Sequence, residues 1–206
     1  MRPTLRFEKH LWKIGFSQIA GVDEVGRGAF AGPVVAAAVV FPRMRRKVYS
    51  LHDVRDSKLL SAKKRELLAL QLKMRSLQWS VGSASTSEIN NYGIVKATFT
   101  AMRRALIKLK HVEYVLIDAF YIPYLRGLSR KRQLAIVKGD ARCFSIAAAS
   151  ILAKVHRDEL MVRLGKRFPQ YLLDRHKGYG TLLHRQALKK FGPQSFHRKI
   201  FISKYI

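Results

Sequence analysis

Short apolar runs at residues 19–22, 34–41, 79–81, 114–117 and 134–137 are rich in β-branched side chains and bounded by turn formers. That pattern predicts buried strands. A helical period appears between them. From 61 to 77, Leu67, Leu70, Met74 and Leu77 fall on one helical face, and from 94 to 110 Val95, Phe99, Met102, Leu106 and Leu109 do the same. Ser61 and Ser87 are the expected N-caps. The segment 145–165 opens rich in alanine and turns basic, as suits a helix packed closely on a sheet until its end reaches solvent. Strands first, then helix and strand in alternation, predict an α/β fold with a mixed sheet.

A chain of 206 residues, 48% apolar, supports one substantial core and fits one domain with an elaboration. We divide it into a catalytic-size core, 1–165, and a basic helical region of the same domain, 166–206. No run approaches the roughly 18–20 apolar residues of a membrane span, and the first residues lack a signal-peptide core. A soluble, cytoplasmic protein is expected. The single cysteine, Cys143, excludes an intramolecular disulfide and a cysteine-based zinc cluster.

Charge adds a partner. Forty Lys and Arg against 13 Asp and Glu give +27, a field that attracts polyphosphate and releases its counterions on contact. Nucleic acid is the expected ligand, and by charge alone a ribosomal protein or nucleoid packer fits at least as well as an enzyme. Residues 166–206 hold ten Lys or Arg and one acid, Asp174, which makes them the expected duplex-binding surface.

With so few acids, their places carry information. Asp23 and Glu24 end the first predicted strand, Asp118 ends the fourth, and Asp140 follows the fifth after Lys138-Gly139. Residues just past strand ends of an α/β sheet share a crevice. Four carboxylates meeting there would repel one another unless cations neutralised them, which is the donor set of a two-metal phosphoryl-transfer site for Mg²⁺ or Mn²⁺. Asp at a strand end is also a common turn former, so each position taken singly has a structural explanation as well. The glycines of Gly26-Arg27-Gly28-Ala29-Phe30-Ala31-Gly32 are not a dinucleotide loop. Pro33 and the apolar run after it predict a second strand, hence a hairpin, where that motif needs a helix. Small residues there admit a ligand close to the backbone, with Arg27 available for phosphate.

These residues, taken in order, resemble a family. Ile19-Ala20-Gly21-Val22-Asp23-Glu24-Val25-Gly26-Arg27-Gly28 and Ala31-Gly32-Pro33-Val34-Val35-Ala36 resemble the opening of the bacterial ribonucleases HII. The similarity continues through Asp56-Ser57-Lys58-Leu59-Leu60-Ser61, Asn91-Tyr92-Gly93-Ile94 with Ala101-Met102, Leu116-Ile117-Asp118-Ala119 and Lys138-Gly139-Asp140. It ends with 145–155 plus Arg157-Asp158, and with His176-Lys177-Gly178-Tyr179-Gly180-Thr181 plus His184. The resemblance implies an RNase H-like fold, a mixed sheet flanked by helices with a C-terminal helical extension that grips the duplex. It implies cleavage of RNA in RNA/DNA hybrids and 5′ of ribonucleotides embedded in DNA, leaving 3′-hydroxyl and 5′-phosphate ends.

By matching positions, the resemblance makes Asp23, Glu24, Asp118 and Asp140 the metal-binding carboxylates. It places Gly26, Arg27 and Gly28 on the ribonucleotide, the backbone reading the 2′-hydroxyl, and stacks Tyr179 on the following sugar, sensing that it is deoxy. It carries Lys58 to a phosphate near the cut. Tyr179, between two glycines, also fits a plain turn aromatic. Asp158 lies four residues after Lys154, and an ion pair between them explains it without a metal. Imidazole is not needed by the metal chemistry, so His176 and His184 receive no role. Ala29 and Phe30 stand where the family pattern usually has Pro and Leu. A monomer is expected, a replication-clamp contact is left open, and another RNase H-like nuclease would share the acids but not the two glycine-flanked motifs.

Overall fold

The computed structural model describes residues 3–43, 54 and 61–206; Lys58 and the Asp-Ser-Lys motif fall outside them. Among the described residues, β1 (Ile19–Val25), β2 (Val34–Val40), β3 (Gln78–Ala84), β4 (Tyr114–Asp118) and β5 (Gln133–Ile136) form one sheet in the order β3-β2-β1-β4-β5. β1, β2 and β3 pair antiparallel, whereas β4 runs parallel to both β1 and β5. The sheet is therefore mixed, as predicted, and the 26–33 segment is the expected hairpin connection.

Period-two alternation lets β2 serve two cores. Val34, Ala36, Ala38 and Val40 pack on α3 (Thr86–Leu106), while Val35, Ala37 and Val39 face α5 (Phe144–Arg167) and α2 (Ala62–Arg75). Both faces are covered, so the strand reads as an unbroken apolar run. The alanine-rich start of α5 allows a close approach to β1. A Cβ on Gly21 would lie 2.2 Å from the backbone of Ser145, so only glycine fits there. On the same face of the sheet, beside the start of α5, α1 (Arg6–Lys13) packs Leu11 and Trp12 against Ile19, Leu116, Ile136 and Ile146.

Three local expectations are corrected. Ser61 does cap α2, accepting from the Lys64 N–H, but the apolar face named for that helix is the outer one: Leu67, Leu70, Met74 and Leu77 are each more than half exposed. Leu68, Ala69 and Leu72 are buried instead. Apolar residues lie nearly all round this helix, so periodicity did not choose a side, and the face with the small Ala69 seats against α5. Ser87 is not a cap. Ser85 is, in a capping box with Glu88, whose carboxylate returns to the Ser85 N–H. α3 bends at Gly93 (φ 79°, ψ 160°), ends at Leu106 and leaves Val95 exposed, while Met102 and Leu106 are buried as predicted.

After α5 the chain makes α6 (Leu173–His176), α7 (Leu182–Phe191) and α8 (Lys199–Ile202). This segment is tied back to the sheet domain. Arg198 Nε and Nη1 donate to the carbonyls of Gly32 and Arg27, and Ala31 bridges His197.

Candidate active site

Because β1, β4 and β5 run parallel, their carboxyl ends open on the same edge of the sheet. Asp23 and Glu24 near the end of β1, Asp118 at the end of β4 and Asp140 beyond β5 thereby line one pocket of about 350 Å³. Asp140 is brought in by a capping contact. The Asp118 carboxylate accepts a 2.7 Å hydrogen bond from the Gly139 N–H, at the start of α4 (Gly139–Arg142), whose first turn holds Asp140. Four of the chain's 13 acids share this space.

The electrostatics are those of a site short of positive charge. Burial pushes the Asp23 carboxyl well above the usual carboxylate range; the Glu24 charge and, further down, that of Asp118 push the same way, and hydrogen bonds from Ser150 and the Glu24 N–H only partly oppose them. Burial also raises Glu24, against the pull of Arg27, which reaches it at 3.3 Å. Glu24 Oε2 is buried with no hydrogen-bond partner among the described residues. An all-carboxylate set with an unsatisfied buried oxygen fits hard divalent cations. No three acid, histidine or cysteine side chains among the described residues surround a single point as they stand.

Two glycine-flanked loops flank the pocket. Tyr179, partly exposed, lines it directly, and Arg27 joins it through Glu24 while its guanidinium lies 5.1 Å from the Phe120 ring centre. Gly26 and Gly28 stand beside it rather than in its wall. Gly28 faces open space, so a ligand can approach its backbone; Gly26 has φ +89° and a Cβ there would meet Arg157 Nε at 2.1 Å. The loops are joined to each other: Phe30 N–H and Ala31 N–H both donate to the Gly178 carbonyl, at 2.8 and 3.2 Å.

Sequence reasoning missed what holds these loops. Arg157 is fully buried and spreads its guanidinium over three carbonyls: Pro33 from Nε (3.1 Å), Lys177 from Nη1 (2.8 Å) and Ala31 from Nη2 (3.0 Å). Arg198, also fully buried, grips Gly32 and Arg27. Both are cations in a chain with 40, and nothing in a linear pattern marks two of them as interior. Ser150 and Arg65, which also line the pocket, were likewise not singled out, and Lys154 was named only as the partner of Asp158. Lys154 does pair with Asp158 at 2.6 Å, and Arg65 reaches Asp158 at 3.6 Å, so the ion-pair reading of Asp158 stands. Phe30 fills the space over Gly180, with its ring 5.1 Å from that of Tyr205.

Comparison with known proteins matches residues 20–204 to the family model for ribonuclease HII. A ribonuclease HII from Caldanaerobacter subterraneus is 44% identical over 201 residues, covering 97% of this chain and 80% of that protein. The ribonuclease HII solved in complex with PCNA from Archaeoglobus fulgidus superposes with a TM-score of 0.70 at 27% identity, over 88% of this chain and 93% of that one. The fold is shared as well with Bst-RNase HIII, solved in complex with Mn²⁺, at a TM-score of 0.74 and 22% identity over 94% of this chain and 70% of that one.

Proposed function

The chain belongs to the ribonuclease HII family, a family of metal-dependent endoribonucleases acting on RNA/DNA duplexes, and from that premise we propose that Asp23, Glu24, Asp118 and Asp140 are its metal-binding catalytic carboxylates. The reaction is hydrolysis of RNA in RNA/DNA hybrids and 5′ of ribonucleotides embedded in duplex DNA, leaving 3′-hydroxyl and 5′-phosphate ends. The observation that carries the site assignment is the meeting of these four acids in one pocket with Tyr179 on its wall.

Two divalent cations, Mg²⁺ or Mn²⁺ in this reading, supply Lewis-acid activation of water and neutralise charge at the scissile phosphate when bound. The protein's own part is positioning and charge. Asp23 and Asp118 come from adjacent parallel strands, so the sheet fixes their spacing. Asp140 is held beside Asp118 through the Gly139 N–H. Glu24 keeps one oxygen on Arg27 and offers the other. The open backbone at Gly28, with Gly26 and Arg27, receives the ribonucleotide. Tyr179, on the pocket wall, is assigned to stacking on the next sugar, and Lys58 to a phosphate near the cut. The basic region 166–206 holds the duplex. The protein works as a cytoplasmic monomer in this reading, and the archaeal complex makes a sliding clamp its candidate protein partner. Among the described residues no helix is long and apolar enough to cross a membrane.

An end-labelled DNA duplex carrying one ribonucleotide tests the proposal. Cleavage 5′ of the ribonucleotide that needs divalent metal and stops with EDTA is expected. Binding without cleavage, or equal cleavage of an all-DNA duplex, would refute it.

A further inference from the structure

The loop that carries Tyr179 rests on three buried or half-buried imidazoles for which the metal chemistry has no use. His176 and His184 stack with ring centres 4.4 Å apart and planes 17° from parallel, and His197 lies 5.3 Å from His184. His184 and His197 are shut off from solvent.

Their hydrogen bonds leave one arrangement of protons. The Gln194 backbone N–H donates to His197 Nδ1 at 2.9 Å, so that nitrogen carries no proton and the His197 proton sits on Nε2. That Nε2–H points at His184 Nε2, 3.1 Å away, which must accept. The His184 proton is therefore on Nδ1, where it donates to the Tyr179 carbonyl at 3.0 Å. His176 follows the same logic: Nδ1 accepts from the Gly178 N–H (3.2 Å), and Nε2–H donates to the Tyr171 carbonyl (2.8 Å).

The rings thus fix both ends of the tyrosine's peptide units. Tyr179 N–H donates to the His176 carbonyl, the Tyr179 carbonyl also accepts from Thr181 N–H, and Arg185 Nε holds the Gly180 carbonyl. Phe30 seals the far side. Its ring lies against Gly180, where a Cβ would come within 2.3 Å of it, and 5.9 Å from the His184 ring. A bulky, flat Phe at this place in the Gly-Arg-Gly loop therefore braces the Gly-Tyr-Gly loop.

We propose that His197, His184 and His176 form a tautomer-locked relay that positions Tyr179, and that through it they help set the discrimination between a deoxyribose and a ribose after the cut site. These are positioning residues, and the proposal rests on the reading of Tyr179 as the sugar-stacking ring. A neutral network suits the task because each ring both accepts and donates. Any added proton would face an N–H already in place.

Two measurements on the full chain test this. Ring-nitrogen NMR at pH 7.5 should find the proton on Nδ1 of His184 and on Nε2 of His197 and His176; any other assignment overturns the relay. Cleavage of a duplex with a single ribonucleotide is then compared with cleavage of a uniform RNA/DNA hybrid. Y179A and H184F should each lower that ratio by roughly 10- to 100-fold, the scale set by misplacing a positioning group by about 1 Å. H184N, whose amide can donate from the place of Nδ1, should recover part of it, and the double variant Y179A/H184F should be no worse than Y179A. H197F leaves His184 in place but removes the bond that fixes its tautomer, and stands in should H184F not fold. A wild-type ratio in H184F and H197F alongside a fallen one in Y179A overturns the relay alone. A wild-type ratio in Y179A overturns the sugar-sensing reading, and the specificity role with it.

Discussion

Replacing Arg157 by methionine removes a fully buried guanidinium whose three hydrogen bonds join the hairpin turn, through Pro33 and Ala31, to the Gly-Tyr-Gly loop, through Lys177. Among the described residues it forms no ion pair, so carbonyl dipoles compensate the buried charge. Hydrogen bonds to a charged group contribute about 1.5–3 kcal/mol each. Methionine fills much of the volume and removes the buried charge but leaves three interior carbonyls without this donor, at about 1–3 kcal/mol for each one left unsatisfied. Against a domain stability of roughly 5–15 kcal/mol, R157M should remain folded but weakened. R157K keeps the charge without the planar fork, reaches fewer of the carbonyls, and should lose about 2–3 kcal/mol. Urea denaturation followed by circular dichroism measures both. The activity consequence is separate. Once the two loops are uncoupled, cleavage of a duplex with one ribonucleotide should fall by about 10²-fold, while the thermal shift produced by Mn²⁺ persists because no carboxylate has moved. Stability within about 0.5 kcal/mol of wild type, together with undiminished cleavage, would refute the role given to this arginine.

On the proposed ligand set, Asp118→Asn removes one carboxylate charge and should cost at least about 10²-fold in cleavage at low metal concentration, on the scale of lost electrostatic stabilisation of a transition state; full activity at low metal would remove Asp118 from that set. Asp23→Asn should stabilise the protein in EDTA at pH 7. The folded-state pKa of Asp23 is raised, so its ionisation weakens the fold as pH climbs through that value, and the advantage of the variant should vanish below about pH 3.8, read from urea midpoints across pH. His184 and His197 act with the opposite sign. Burial holds both at about 4 against 6.5; for His184 the hydrogen bond to the Tyr179 carbonyl opposes it and the neighbouring His176 adds to it, and for His197 the neighbouring His184 adds to it. Their contribution is complete above 6.5 and is lost as pH falls toward 4, by up to roughly 3 kcal/mol for each ring and less than twice that for the coupled pair; a wild-type urea midpoint that is flat over this window would contradict the buried neutral rings. On α2, Leu72→Ala should cost about 2–5 kcal/mol and Leu70→Ala no more than about 0.5 kcal/mol, and equal losses would mean that the helix face has been assigned wrongly.

Much of the framework was written in local pattern. The strands, the hairpin in place of a nucleotide loop, the Ser61 cap and the long helix after Cys143 follow from periodicity and turn chemistry, which depend on neighbours a few residues apart. The four acids stood out because the chain has so few. The Lys154–Asp158 pair followed from helical spacing alone. The outward face of α2 was not legible, because apolar residues on several sides satisfy the same period and only the partner surface selects among them. Ser87 was mistaken for Ser85 because serines two apart both satisfy a cap's chemistry, and the reciprocal bond to Glu88 chose between them.

The sequence by itself determined which residues could form strands and helices, that the partner carries phosphate, and, through ordered resemblance, the family to which the chain belongs. Tertiary structure decided which of those residues meet. Parallel pairing of β1, β4 and β5 turns their carboxyl ends to one edge, and together with the Asp118–Gly139 contact this brings Asp23, Glu24, Asp118 and Asp140 into a shared pocket. Burial then converts ordinary surface types into interior ones: Arg157 and Arg198 become braces for carbonyls, and His184 and His197 become interior rings beside the Tyr179 loop. The physical reason is range. Helix and strand signals act over a few bonds, whereas desolvation and hydrogen bonding between segments more than a hundred residues apart exist only after the chain has closed on itself.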